Sequence, residues 1–181
     1  MDDGASSYRR FLDGDKNAFD EIFTLYFAPL TLFANRYVCN VHDAEDIAIN
    51  SLLELLIHPK RYHFRTPLRA YLFAIARNKS LNFLRDNRKK TVTPEEYEQD
   101  LADCYSLEEE LIAGEERQAL NQALKMLPEE MQIAIHLVYF ESLSYEDAAK
   151  VMGKTKKQVD NLLYRAKNDL RNILGKELKI V

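Results

Sequence analysis

Two clusters of side chains in this sequence could do chemistry, and both are suited to gripping nucleic acid rather than to making or breaking bonds. The first is Lys156, Lys157, Gln158, Asn161, Tyr164 and Arg165, with Asn168 following. Ammonium and guanidinium groups bind phosphates, while amides and hydroxyls also reach base edges. The second lies between Lys60 and Lys90, where ten basic residues (Lys60, Arg61, Arg65, Arg69, Arg77, Lys79, Arg85, Arg88, Lys89, Lys90) stand against one acid, Asp86. Interleaved with them are Tyr62, Phe64, Tyr71, Phe73 and the amides Asn78 and Asn82. Cations follow a phosphate backbone, and aromatic rings stack on bases once the strands separate. The other reading of Tyr71 and Phe73 is core packing, with only the cations meeting solvent.

The first cluster needs a helix to display it, and the surrounding residues specify one. Ser144 can cap a short helix, with Asp147 three residues on, and Ala148 and Ala149 permit a close crossing. Gly153 supplies the turn. Thr155 and Gln158 fit a reciprocal capping box, so a second helix begins at Lys156. Its apolar residues Val159, Leu162, Leu163, Ala166, Leu170, Ile173 and Leu174 step by three and four, leaving the donors on the opposite side. Two helices joined this way form a helix-turn-helix, which fits the major groove of DNA; the plain alternative is a hairpin whose charged side is only wet.

Further forward, apolar spacing predicts a long helix over Asn17 to Tyr37, with Pro29 as a place for a kink, and a second from Asp43 to Ile57 with Ala44, Ile47, Ala48, Leu52, Leu55 and Leu56 inward. A third runs from Pro67 to about Asn87, with Tyr71, Leu72, Ile75, Ala76, Phe83 and Leu84 as buried positions. No alternating run marks a strand, and the expected fold is all-α.

The 181 residues, 46% hydrophobic, allow one domain or two small ones. Charge divides the chain: residues 1–93 carry 14 basic and 11 acidic side chains, 94–116 none and 10, and 117–181 11 and 8. Two mildly basic helical domains, 1–93 and 117–181, are thus expected on either side of an acidic linker. No apolar run is long enough to cross a bilayer, and Met1, Asp2 and Asp3 lack the basic flank of a signal peptide, which predicts a cytosolic protein. Cys39 and Cys104 form no CxxC pair and read as reduced, structural thiols; His42, His58, His63 and His136 make no metal-binding frame.

Four motifs carry a family resemblance: DAEDI at Asp43 to Ile47, YLFAIARNKSLNFLR at Tyr71 to Arg85, LPEEMQ at Leu127 to Gln132, and YFESLSYEDAAKVMGKTKKQVDNLLYRAK at Tyr139 to Lys167. In this order they resemble the extracytoplasmic-function group of bacterial sigma factors, the promoter-recognition subunits of RNA polymerase. The resemblance implies that the first domain docks on core RNA polymerase through Asp43, Glu45, Asp46 and Asn50. It implies that Phe64, Arg65, Arg77, Asn78, Lys79, Asn82 and Arg85 handle the melted −10 element, with the 64–68 region and Asn78 holding an extruded base. Lys156, Lys157, Gln158, Asn161, Tyr164 and Arg165 would read the −35 element as duplex promoter DNA. An anti-sigma factor is an expected partner. No catalytic residue, cofactor, metal, small-molecule substrate or membrane insertion is expected.

Two other readings stay open on the residues alone. One is a stand-alone helix-turn-helix regulator that binds duplex DNA as a dimer, using the front domain for pairing or sensing. The other is an enzyme in which Asp43, Glu45 and Asp46 hold a metal, although acids at a helix start are ordinary.

Overall fold

The computed structural model describes residues 4–87 and 115–177, all of whose regular elements are helical. The chain divides into two compact units, Met1–Cys104 and Tyr105–Val181. The acidic stretch 94–116 lies outside the described residues up to 114, and its last two residues open a helix.

The first unit is built on α2 (Ala18–Val38), α3 (Val41–Ile57) and α4 (Leu68–Asn87), each packed on the other two, with α1 (Ala5–Leu12) laid against α2. The stripe on α2 reads Ile22, Tyr26, Leu30, Phe33 and Ala34, all fully buried. Against it pack Ala44, Ala48, Leu52 and Leu55 of α3 and Leu68, Leu72, Phe73 and Ala76 of α4. The rings of Phe33 and Phe73 meet edge-on at 4.9 Å. Each such large apolar side chain contributes roughly 1.5–3 kcal/mol when removed from water. Helix α2 continues through Pro29 as the single long helix expected.

The α2–α3 corner is two residues long. Cys39 takes the left-handed conformation (φ 52°), and Asn40 then caps α3, its side-chain oxygen accepting the Asp43 N–H at 3.1 Å. Cys39, read above as a reduced thiol, is disulfide-bonded. Composition and compartment suggest what a cell keeps reduced, and are silent on what a fold brings within bonding reach. Cys104 lies outside the described residues.

Helix α1, which apolar spacing did not reveal, is pinned by Tyr8. Its ring is fully buried, and its hydroxyl donates to the Leu55 carbonyl at 2.9 Å. That carbonyl would ordinarily accept the N–H four residues on, but residue 59 is proline and has none. Tyr8 therefore fills a vacancy that sequence created at the end of α3. A single 3₁₀ turn, Pro59–Arg61, then leads into the loop before α4.

In the second unit α8 (Lys156–Glu177) packs against α5 (Glu115–Lys125), α6 (Glu129–Ile135) and α7 (Tyr145–Met152). Ala123, Leu127, Met131, Leu137, Leu143, Ala148, Val151, Val159, Leu163 and Ala166 are buried. Gln132 ties the α5–α6 corner, its amide donating to the Leu127 carbonyl at 2.8 Å. A π-type turn, His136–Phe140, closes with Glu141 N–H donating to the His136 carbonyl, five residues back, at 3.0 Å. It bends the chain toward α7.

The expected caps are present. Ser144 accepts the Asp147 N–H at 3.1 Å, and Gly153 ends α7 at φ 64°. Thr155 N–H donates to Gln158 Oε1 at 2.8 Å while Gln158 N–H donates to Thr155 Oγ1 at 3.3 Å, so each residue satisfies an orphan amide of the other.

Two outcomes are expected from this packing. Burial pushes the Tyr8 phenol up to about 12, with Tyr71 as the lesser cause. The folded phenol stays neutral while the unfolded one ionises near 10, so its stabilising effect is complete below pH 10 and lost as pH rises through 12. Tyr8→Phe should therefore destabilise by about 1 kcal/mol at pH 8, with the gap to wild type narrowing at alkaline pH in denaturant titrations. Thr155→Val keeps the shape but removes the accepting hydroxyl, and should speed hydrogen exchange at the Gln158 amide about fivefold without touching α5.

Candidate nucleic-acid interface

The second unit displays its donors along one side of α8. Val159, Leu163 and Ala166 are buried against the rest of the unit, while Lys156, Lys157, Gln158, Asn161, Tyr164 and Arg165 are all exposed. Tyr164 is 69% exposed, far more than a core aromatic would be. Leu162, Leu170, Ile173 and Leu174, expected inward, are only half-buried, as is Asn168. A shallow cavity of about 230 Å³ is lined by Glu130, Lys154, Gln158, Asn161, Leu162 and Arg165. At its rim Lys154 pairs with Glu130 at 2.7 Å, which leaves Lys156, Lys157 and Arg165 as the donor cations of this side without an ion pair among the described residues. Lys167 lies over the Tyr139 ring at 5.3 Å, and the two share a hydrogen bond that lowers the Tyr139 pKa. Asp160, an acid, sits exposed within the donor side.

The basic segment of the first unit is sorted by its neighbours. Arg61 pairs with Glu54, Arg69 lies over the Tyr26 ring at 5.7 Å, and Arg85 leans on Asp86 at 3.4 Å. Lys60, Arg65, Arg77 and Lys79 make no ion pair among the described residues; Lys60 and Arg65 are exposed, Arg77 and Lys79 half-buried. Arg88, Lys89 and Lys90 lie outside the described residues. On α4, Asn78, Asn82 and Arg85 are exposed and follow one another at helical spacing, which aligns two amides and a guanidinium on one stripe.

The aromatics divide between the two readings, stacking and core. Phe73 is fully buried and Tyr62 nearly so, so both belong to the core and neither offers a stacking surface. Phe73 is turned inward by the helical period of α4 whatever charges lie between, and Tyr62 by the loop that its hydroxyl closes. Tyr71 is half-buried against Tyr62 at 5.0 Å. Phe64 is the exception. It is half-buried in the loop before α4 and holds φ 56°, a conformation that bulky residues rarely adopt. Tyr62 closes that loop, its hydroxyl donating to the Thr66 carbonyl at 2.7 Å.

On α3, Asp43 and Glu45 are half-buried while Asp46 and Asn50 are exposed. Sequence reasoning missed what accompanies them. Ile49 (37% exposed), Leu53 (37%), Leu56 (36%) and Ile57 (64%) continue the Asp46–Asn50 side as an apolar strip, and Leu56 does not point inward as expected. The available signal was that α3 carries apolar residues around more than half its circumference, too many for one buried face. Among the described residues no His, Cys, Asp and Glu side chains group to hold a metal ion, and no helix is long and apolar enough to cross a membrane.

Comparison with known proteins fits both units. A family model for sigma-70 region 2 matches residues 22–90, and one for sigma-70, region 4 matches residues 117–170. The RNA polymerase sigma-H factor of Pseudomonas aeruginosa is 29% identical over 89% of this chain and 88% of its own length. The ECF RNA polymerase sigma factor SigW of Bacillus subtilis is 24% identical, over 89% of this chain and 91% of its own. Among solved structures, the sigma factor RpoE in complex with the anti-sigma factor NepR from Bartonella quintana shares the fold with a TM-score of 0.63 at 23% identity, covering 87% of this chain and 96% of that one. CnrH in complex with the cytosolic domain of CnrY gives 0.60 at 20% identity, with 96% of each chain covered. A stand-alone helix-turn-helix regulator would account for the second match and not for the first. The chain belongs to the sigma-70 family of RNA polymerase factors, in its extracytoplasmic-function group.

Proposed function

We propose that the two units divide promoter recognition between them, with residues 1–93 acting on the polymerase and the −10 element and residues 117–181 acting on the −35 element. The stretch 94–116 is then an acidic tether. The observation that carries this reading is the exposure pattern of α8, whose apolar side is sealed in the unit while Lys157, Asn161, Tyr164 and Arg165 are free to enter a major groove. Lys156 and Gln158 stand at the start of that helix, where backbone amides also favour phosphate.

In the first unit, Asp46 and Asn50 with Ile49 and Leu53 form a surface of acid, amide and aliphatic groups suited to a polymerase docking site, with Asp43 and Glu45 at its edge. Arg65, Arg77 and Lys79 supply charge for a separated strand, Arg85 joins them once the strand displaces its exposed partner Asp86, and Asn78 and Asn82 supply amides for its bases. Taking a base out of the stack costs a few kcal/mol, which the half-buried ring of Phe64 and the Asn78 amide would offset. Nothing in this mechanism requires a bond to be made or broken by the protein, so its role is to give the polymerase sequence preference and melting ability in the cytosol. One of the related folds was solved with an anti-sigma factor, NepR, which supports a protein antagonist for this chain as well.

Run-off transcription with purified core polymerase and a library of promoter fragments tests the assignment. Wild-type protein should select a subset of fragments. Lys157→Ala or Arg165→Ala should weaken closed-complex formation about tenfold and reduce its salt dependence, whereas Asn78→Ala should leave that step intact and slow strand opening read by permanganate reactivity. If all three variants lose only duplex affinity, the division of labour is wrong.

A further inference from the structure

Helix α1 carries adjacent arginines that are treated in opposite ways. Arg10 pairs with Glu21 and has Asp15 at 4.0 Å; Glu21 is held in turn by the Ser7 hydroxyl at 2.7 Å. Arg9 makes no ion pair among the described residues. Its guanidinium carbon lies instead 4.8 Å from the centre of the Phe64 ring. An exposed arginine next to available acids ordinarily finds one, and this one is turned toward the loop that precedes α4.

That loop is built to hold its shape. Phe64 keeps a left-handed backbone, a strained conformation that persists only where the surroundings impose it. Its ring is flanked by Tyr62 at 4.7 Å and Tyr8 at 6.0 Å, and both tyrosines are buried and hydrogen-bonded to backbone carbonyls. Tyr8 precedes Arg9, so the contact that fixes α1 to the end of α3 also fixes where Arg9 can reach. A guanidinium stacked on a ring keeps its N–H donors in its own plane and available to a second partner. The neighbours in the loop, His63 and Arg65, are exposed, and Arg65 is a further cation with no ion pair among the described residues.

Resting on the reading of the first unit given above, we propose that Arg9 is a strand-contacting residue. It donates to a phosphate of the separated strand beside the base received at Phe64, and its stack on that ring sets the distance between the two contacts. Helix α1 thereby joins the single-strand interface, which the basic segment 60–90 alone did not include. A phosphate is favoured over an acidic protein surface because Arg65 of the same loop adds a second unpaired cation among the described residues and the ring beneath is of the kind on which bases stack.

The test uses the full chain bound to core polymerase and a short fluorescein-labelled single strand selected by that complex from a random pool. Arg9→Ala should bind the strand about fivefold more weakly and lower the slope of log affinity against log salt by about 0.7, one phosphate contact for a single strand. Arg9→Lys should keep the slope while recovering only part of the affinity, and Arg10→Ala should bind as wild type. Strands neutralised at one linkage by methylphosphonate should abolish the Arg9→Ala penalty at a single position. A penalty that is the same on every neutralised strand, with the salt slope unchanged, would make Arg9 a prop for Phe64 and overturn the proposal; so would a defect confined to assembly with core polymerase. Phe64→Ala and Asn78→Ala separate the two readings: if they bind the strand as tightly as wild type, the assignment of the first unit fails, whereas an Arg9→Ala variant that binds normally while they do not removes Arg9 alone.

Discussion

A polyanion can be gripped only by cations that the protein itself has left uncompensated, and that constraint organises both units. Arg10, Arg61 and Lys154 are neutralised by Glu21, Glu54 and Glu130, and Arg69 is laid over a core tyrosine. The cations without an ion pair among the described residues include Arg9, Lys60, Arg65, Arg77 and Lys79 in the first unit, and Lys156, Lys157 and Arg165 in the second. Counting basic residues therefore overstates the interface, since an internal pair releases few counterions when nucleic acid approaches. The formal net charge of −4 is compatible with DNA binding for the same reason: acids and bases are sorted in space as well as along the chain.

The fold positions these cations with few and local devices. In the second unit the capping box at Thr155 and Gln158 fixes where α8 begins, and the buried Val159, Leu163 and Ala166 fix its rotation, so that the donors have one outward direction. In the first unit the missing N–H of Pro59 leaves the Leu55 carbonyl for Tyr8, and Tyr8 and Tyr62 together brace the strained backbone of Phe64. Polar groups whose backbone partner is absent must find another when buried, and here the search for a partner brings a distant helix to the loop.

What could be read from the sequence follows from how local each signal is. The caps at Ser144 and Thr155, the turn at Gly153 and the start of α8 at Lys156 are decided within a few residues, and all stand as expected. The three long helices of the first unit were visible in their periodicity to within two residues or so. Helix α1 was not, because its burial depends on Tyr8 reaching a carbonyl 47 residues away, a contact with no trace in spacing. The exposed strip of Ile49, Leu53, Leu56 and Ile57 was hidden for a related reason: apolar residues alone cannot say whether the surface that covers them belongs to the same chain. Interleaving left open which aromatics stack and which pack, and Tyr62 and Phe73 serve the core; the positive φ of Phe64 has no sequence marker because glycine or asparagine would be the usual occupant.

Small interfaces with a handful of free cations each should be weak separately and become effective when one large partner holds both at high effective concentration. The most direct measurement is fluorescence anisotropy of a labelled duplex promoter fragment titrated with this chain alone and with the chain bound to core polymerase, over a range of salt. Tight, sequence-selective binding confined to the complex is the expected result. Equally tight and selective binding by the free chain would contradict the dependence on that partner.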